Sequence, residues 1–333
     1  MNKIIEAEGL TKVYPPNTKA VDQVSFSVDE GEIFGFLGPN GAGKTTTIKM
    51  LTTLASISEG RCSVAGYDVK SQQKEVRRAV GLVPQEAAVD TGLTGLENLL
   101  LSARLYGIPS TVAKEKAKQL LELVGLDEAS QRMVRTYSSG MRKRLELISG
   151  LIHEPRVLFL DEPTLGLDVQ TRTLMWEYIK GVNEEKNTTI FLTTHYLEEA
   201  DSLSERVAII DHGQIKVSGA PSELKSELGR DILEIKVSTD SELTQAISSM
   251  NGFSEVKRTS TYTYSIGMPR IERSLQSVFN GLSKLGVNVI DAKLEKPNLD
   301  TVFLNVTGRS IRDEVVDSGD SFAARARAES ARH

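Results

Sequence analysis

Eight consecutive residues, Gly38-Pro39-Asn40-Gly41-Ala42-Gly43-Lys44-Thr45, limit what this chain can fold into more than any other stretch. They follow the apolar run EIFGFL and open onto KTTTIKMLTTL, so strand, glycine loop and helix come in that order. Glycines let the backbone curl until successive N–H groups face inward, and the helix start adds unpaired donors and the positive end of its dipole. The product is an anion cradle. Lys44 can reach the β- and γ-phosphates of a nucleotide, Thr45 can ligate Mg²⁺, and Gly38 through Thr46 are the expected nucleotide-binding residues. A glycine turn that merely caps a helix would share part of this pattern.

A second segment supplies the other half of such a site. Val157-Leu158-Phe159-Leu160 is an apolar strand that ends in Asp161 and Glu162. Asp161 can hold the metal directly or through water, while Glu162, aimed elsewhere, can polarise an attacking water. Taken alone, two acids after a strand would read as a turn or helix cap.

The 333 residues suggest a main domain plus an appendage. Short apolar strands are expected at 32–37, 81–84, 157–160, 189–193 and 207–210, alternating with helices around a buried sheet. Between Leu96 and Leu151 the pattern turns helical, with LENLLLSARLYG, STVAKEKAKQLLELVG and GMRKRLELISGLI at about the 3.6-residue period. This marks a helical insertion at about 88–151. A short helix opened by Pro221 and closed by Gly229 ends a main domain over 1–228. Beyond it, DILEIKVST, SELTQAISSM, FSEVKRTSTYTYSIGM, IERSLQSVFNGLSKLG and VNVIDAKLE read as strand, helix, hairpin, helix and strand, a small α+β domain over 230–306. The tail over 307–333 is expected to be disordered.

A formal charge of −5 gives no bulk attraction to nucleic acid or anionic lipid, and no nucleic-acid partner is expected. No run approaches the ~18 apolar residues needed to cross a bilayer as a helix, so this chain does not form a membrane pathway by itself. With Cys62 the sole cysteine, no intrachain disulfide is possible, and the residue reads as a small core side chain.

With the two phosphate-site motifs in hand, the intervening and following segments resemble those of an ATP-binding-cassette (ABC) ATPase. The decisive one is Tyr137-Ser138-Ser139-Gly140-Met141-Arg142-Lys143-Arg144-Leu145, which is similar to that family's signature motif. It places a serine and a glycine at a helix start, an anion site that serves equally as an ordinary N-cap. Ser139 and Met141 depart from the commonest form of the motif. The resemblance implies that Ser138 and Gly140 close on ATP held by a second copy. It further implies that Tyr14 stacks on adenine, although a tyrosine near an edge strand also serves as packing. Gln85 matches a residue that contacts Mg²⁺ or the attacking water. Asp168, which would equally cap the helix after it, matches a loop crossing the dimer interface. His195 matches the switch histidine at the γ-phosphate, working with Glu162 and Gln85 in catalysis.

The implied fold is α/β, a P-loop NTPase of the ABC nucleotide-binding type with a helical subdomain and a small C-terminal α+β domain. The resemblance implies ATP and Mg²⁺ as ligands, a homodimer formed through an ATP sandwich, and a separate multispan transmembrane permease. It also implies a peripheral position at the cytoplasmic face of the cell membrane. The segment PNLDTVFLNVTGRSIRDE resembles the end of daunorubicin-resistance-type export ATPases. A soluble, non-transport ABC ATPase and a nucleotide-regulated assembly module are the competing readings.

Overall fold

The computed structural model describes residues 2–228, 231–238, 255–260, 262–268, 275–284 and 287–308; the expected helix at 241–250, Gly229 and the tail beyond 308 lie outside them. One compact unit ends at Pro221 and a second begins at Ser222. The first opens with two long antiparallel strands, β1 (Lys3–Tyr14) and β2 (Thr18–Asp29), followed by β3 (Ile33–Leu37) and helix α1 (Lys44–Leu51). Next come β4 (Glu59–Val64), β5 (Tyr67–Asp68), α2 (Gln73–Ala79) and β6 (Val80–Val83). Three helices then follow, α3 (Gly95–Leu105), α4 (Ser110–Leu123) and α5 (Ser139–Ser149). The unit continues through β7 (Val157–Asp161), α6 (Val169–Lys186), β8 (Thr189–Thr194), α7 (Leu197–Leu203), β9 (Arg206–Asp211) and β10 (Gln214–Gly219).

These strands form two sheets. The larger, in the order β10-β9-β3-β8-β7-β6, is parallel except for the β9–β10 hairpin. Every residue of β3, β7 and β8 is buried, because the sheet is covered on both faces, and that is why these strands read as unbroken apolar runs. The smaller sheet, β2-β1-β4-β5, is antiparallel. Its strands are not among those the sequence pattern picks out. Register shifts interrupt β1 between Ala7 and Leu10 and again near Lys12, and each irregularity breaks the two-residue alternation that marks a half-buried strand.

Five phenylalanines join the two sheets. Phe26 of β2 lies 5.7 Å from Phe34, 5.6 Å from Phe36 and 5.7 Å from Phe191, ring centre to ring centre. Phe191 in turn meets Phe34, Phe36 and Phe159 at 5.7, 5.5 and 5.5 Å. The opposite face of the large sheet packs through Leu158, Leu160, Ile190 and Leu192 under the helices. Helix α3 begins at a capping box in which Thr94 and Glu97 satisfy each other's backbone donors.

The second unit is a four-stranded antiparallel sheet. Its strands are β11 (Asp231–Val237), β12 (Glu255–Ser260), β13 (Thr263–Met268) and β14 (Val289–Glu295), ordered β12-β13-β11-β14. Helix Leu275–Lys284 buries Leu282 against Leu233, Ile235, Tyr264 and Ile266. A last helix, Leu299–Thr307, starts at an Asn298 capping box and stops at Gly308. Among the described residues no helix is long and apolar enough to cross a membrane.

The Phe191 ring sits at the centre of the aromatic contact between the sheets. Phe191→Ala should destabilise the first unit by about 3–5 kcal/mol, read from its urea transition. A loss below ~1 kcal/mol would show that the aromatic cluster does not hold the sheets together.

Candidate functional site

Parallel pairing puts the C-terminal ends of β3, β7 and β8 at one sheet edge, and the loop from Gly38 to Gly43 grows out of it. Gly38 N–H donates to the Thr194 carbonyl at 3.2 Å, fixing the loop's start to β8. Gly43 has φ 104°, and a Cβ there would come 2.5 Å from the Ala20 carbonyl oxygen, so the turn into α1 accepts only glycine. The exposed tip, Asn40-Gly41, lies between buried Pro39 and buried Ala42.

Lys44 is nearly inaccessible, and its Nζ donates to the carbonyls of Gly38 at 2.8 Å and Pro39 at 3.0 Å. The same Nζ is 3.1 Å from Glu162 Oε1. The other oxygen, Oε2, approaches His195 Nδ1 at 3.2 Å. That nitrogen has no aligned hydrogen-bond partner, so the approach is a close contact rather than a formed bond. Burial pushes the Glu162 carboxyl up, but the His195 ring and the Lys44 ammonium outweigh it and hold the group below its ordinary value. It is therefore ionised at neutral pH.

Asp161 and Glu162 diverge for a backbone reason. Glu162 has φ 50°, a left-handed conformation that costs a non-glycine residue of order 1 kcal/mol and is retained where surrounding structure enforces it. Here the Glu162 N–H is held by Thr193, through its carbonyl at 3.1 Å and its hydroxyl at 3.2 Å. Asp161 Oδ1 accepts from Thr193 Oγ1 at 2.6 Å and from Thr45 Oγ1 at 3.2 Å. The Thr45 hydroxyl and the Asp161 carboxylate are hard oxygen donors already side by side, a donor pair that fits Mg²⁺ completed by phosphate and water. Thr46, half-buried, lies in the same first turn of α1.

The remaining expected residues fall into two places. Gln85 is exposed just beyond the end of β6, beside β7, and its backbone carbonyl accepts from Lys143 Nζ at 3.3 Å. Tyr14 closes β1 opposite Thr18, with the Lys12 ammonium 5.0 Å from its ring centre. Two residues past Thr18 stands Ala20, whose carbonyl oxygen lies against Gly43.

Ser138, Gly140 and Asp168 form a separate group where α5 and α6 begin. Ser138 Oγ accepts the Met141 N–H at 3.2 Å, and Asp168 accepts the Thr171 N–H at 2.9 Å and the Thr171 hydroxyl at 2.7 Å. These caps hold Asp168 below its usual carboxyl range. A Cβ on Gly140 would lie 2.5 Å from Thr171 Cγ2, so this glycine lets the two helix starts meet. The hydrogen bonds of Ser138 and Asp168 are local caps of their own helices.

Sequence reasoning passed over Thr193 and Glu199. Thr193 is the residue paired with Asp161 across β7 and β8, a partnership that only the register reveals. Glu199 is fully buried on α7; its Oε1 accepts from Thr164 Oγ1 at 2.7 Å and Trp176 Nε1 at 3.0 Å, and burial pushes its carboxyl up.

Fold and site together define an ATP-binding-cassette ATPase: the chain belongs to the ABC transporter family, whose profile matches residues 21–165. The daunorubicin/doxorubicin resistance ATP-binding protein DrrA of Streptomyces peucetius is 39% identical over 314 residues, 93% of this chain and 94% of that protein. The linearmycin resistance ATP-binding protein LnrL of Bacillus subtilis is 37% identical over 93% of this chain and its own whole length. The Nod factor export ATP-binding protein I of Sinorhizobium fredii is 36% identical over 93% of this chain and 87% of that one. Among solved structures, cbiO1 of Clostridium perfringens, part of the ABC transporter complex cbiONQ, matches 69% of this chain and 93% of its own at TM-score 0.64 and 24% identity. The dimeric post-hydrolysis structure of the cassette MJ0796 with ADP and Pi matches 65% and 98% at TM-score 0.59 and 23% identity. The two structures share the fold; membership makes the chain an ATP-binding ATPase subunit.

Two substitutions separate binding from turnover. Lys44→Ala should weaken ATP affinity about 10- to 100-fold, the range for losing charge-assisted hydrogen bonds, as read by equilibrium nucleotide binding. Glu162→Gln should keep that affinity but lower steady-state ATP hydrolysis by about 10²-fold or more, because an amide is a poor proton acceptor. Undiminished turnover in Glu162→Gln would remove Glu162 as the base.

Proposed function

We propose that this chain powers export of a drug-like, lipid or other hydrophobic compound through a separate multispan permease, from a peripheral position at the cytoplasmic face of the membrane. The observation that carries the reading is the buried row Lys44–Glu162–His195 beside the Thr45–Asp161 pair. The names of the resistance and export relatives support the direction of transport.

The row suits hydrolysis of ATP to ADP and phosphate. Lys44 transfers from Glu162 to the β- and γ-phosphates and leaves that carboxylate free to accept a proton. Glu162 takes the proton from a water whose oxygen bonds to the γ-phosphorus as the β,γ-bridging P–O bond breaks. His195 donates to the γ-phosphate and Gln85 orients the water. Thr45 and Asp161 would hold Mg²⁺, which neutralises phosphate charge when bound. Tyr14 stacks on the base.

Ser138 and Gly140 of one copy, with Asp168 at the crossing, complete the site on a second copy, so two ATP molecules are sandwiched in a homodimer. The positive end of the α5 dipole suits a phosphate presented from outside.

A groove of about 400 Å³ between the sheet side and the helical side suits the permease contact, with Leu54, Arg77 and Leu82 on one wall and Leu105, Tyr106 and Glu146 on the other. Leu105 is 80% exposed at its mouth. The chain should co-purify with an integral membrane protein, and Leu105→Asp should abolish that association while ATP affinity stays within about 2-fold, since a buried carboxylate at an apolar contact is strongly disfavoured. Failure of the wild-type chain to associate with any integral membrane protein would refute the transport reading.

A further inference from the structure

His195 has a second contact besides the one to Glu162. Its Nδ1 is buried without an aligned partner, although Glu162 Oε2 is only 3.2 Å away. The imidazole also touches the next side chain, Tyr196, whose ring centre lies 4.1 Å from its own at a 41° tilt. The Tyr196 ring carries a second neighbour, the Arg172 guanidinium, 4.0 Å from its centre. A cation at that distance is attracted by the ring's electron-rich face, which favours one ring orientation over others. The Tyr196 backbone is fixed too, because its N–H donates to Thr194 Oγ1 at 2.9 Å.

Arg172 belongs to the first turn of α6. Its neighbour Thr171 packs on Gly140 and is bound by Asp168. One turn further along α6, Trp176 donates to Glu199 on α7, the helix that Tyr196 begins. Glu199 also accepts from Thr164, two residues past Glu162. The segment bearing His195 is thus gripped twice by α6 and once by the loop after the acidic strand.

We propose that Tyr196 is a positioning residue that sets the His195 ring and, through Arg172, ties it to the start of α6, so that a shift at Asp168 and Thr171 is felt at His195. The inference rests on the role given to His195 under Proposed function. An aromatic ring held by a cation transmits displacement better than a flexible chain, because the flat contact leaves little slack on either side.

The test uses the full chain, MgATP, and a mutant cycle. Tyr196→Ala should lower kcat for ATP hydrolysis by about 10- to 100-fold, the scale of a misplaced catalytic group, with MgATP affinity within about 2-fold of wild type. Tyr196→Phe, which keeps the ring, should restore the rate. Arg172→Gln, which leaves the ring in place, should lower kcat by about 3-fold or more. In a His195→Ala background neither Tyr196→Ala nor Arg172→Gln should slow the enzyme further. Full turnover in Tyr196→Ala or Arg172→Gln, or losses that multiply with that of His195→Ala, would overturn the proposal. Unchanged kcat in His195→Ala alone would instead overturn the role assigned to His195. Should Tyr196→Ala fail to fold, the Arg172→Gln pair of measurements decides.

Discussion

A buried lysine and a buried glutamate facing each other at 3.1 Å are the constraint around which this protein is arranged. Neither charge could be sequestered alone, since removing one partner of such a pair leaves a charge that costs several kcal/mol. The pair therefore demands that the phosphate loop after β3 and the end of β7 be held in register, although β8 lies between them in the sheet. Thr193 of β8 does this, bonding Asp161 and the backbone of Glu162 at once. Because Lys44 already has Glu162 and two carbonyls, a triphosphate that takes its ammonium must displace an existing set of contacts, and in the proposed mechanism that displacement frees the Glu162 carboxylate.

The neighbouring helices extend this logic outward. Three positions within the cap and first turn of α6, Asp168, Thr171 and Arg172, face three different things: their own helix start, the start of α5 and the aromatic ring beside His195. A single rigid element so placed couples distant groups without a continuous polar network, because a helix shifts as a body.

What could be read from the sequence follows a physical division. The phosphate loop, the acidic pair and the buried strands β3, β7 and β8 were legible because each is contiguous: the chemistry or burial that defines it acts on adjacent residues. The sheet β2-β1-β4-β5 was not, because bulges disrupt its alternation. The positive φ of Glu162 could not be read, since nothing in Leu-Asp-Glu-Pro distinguishes a left-handed glutamate from an ordinary one. Thr193, Glu199 and the Arg172–Tyr196 contact depend on strand register and helix packing, which bring together residues remote in sequence. A buried threonine in the run TIFLTTH reads as strand filler until its partner across the sheet is known.

The groove between Leu54, Arg77 and Leu82 on one side and Leu105, Tyr106 and Glu146 on the other has walls from separate layers of the same unit. Its width is therefore a gauge of the angle between those layers. Thermodynamic reciprocity makes the gauge work in both directions: whatever the groove grips more firmly at one angle must, by the same free energy, favour that angle in return. A permease segment seated there, as proposed, would act on the angle between the layers as a wedge acts on a joint.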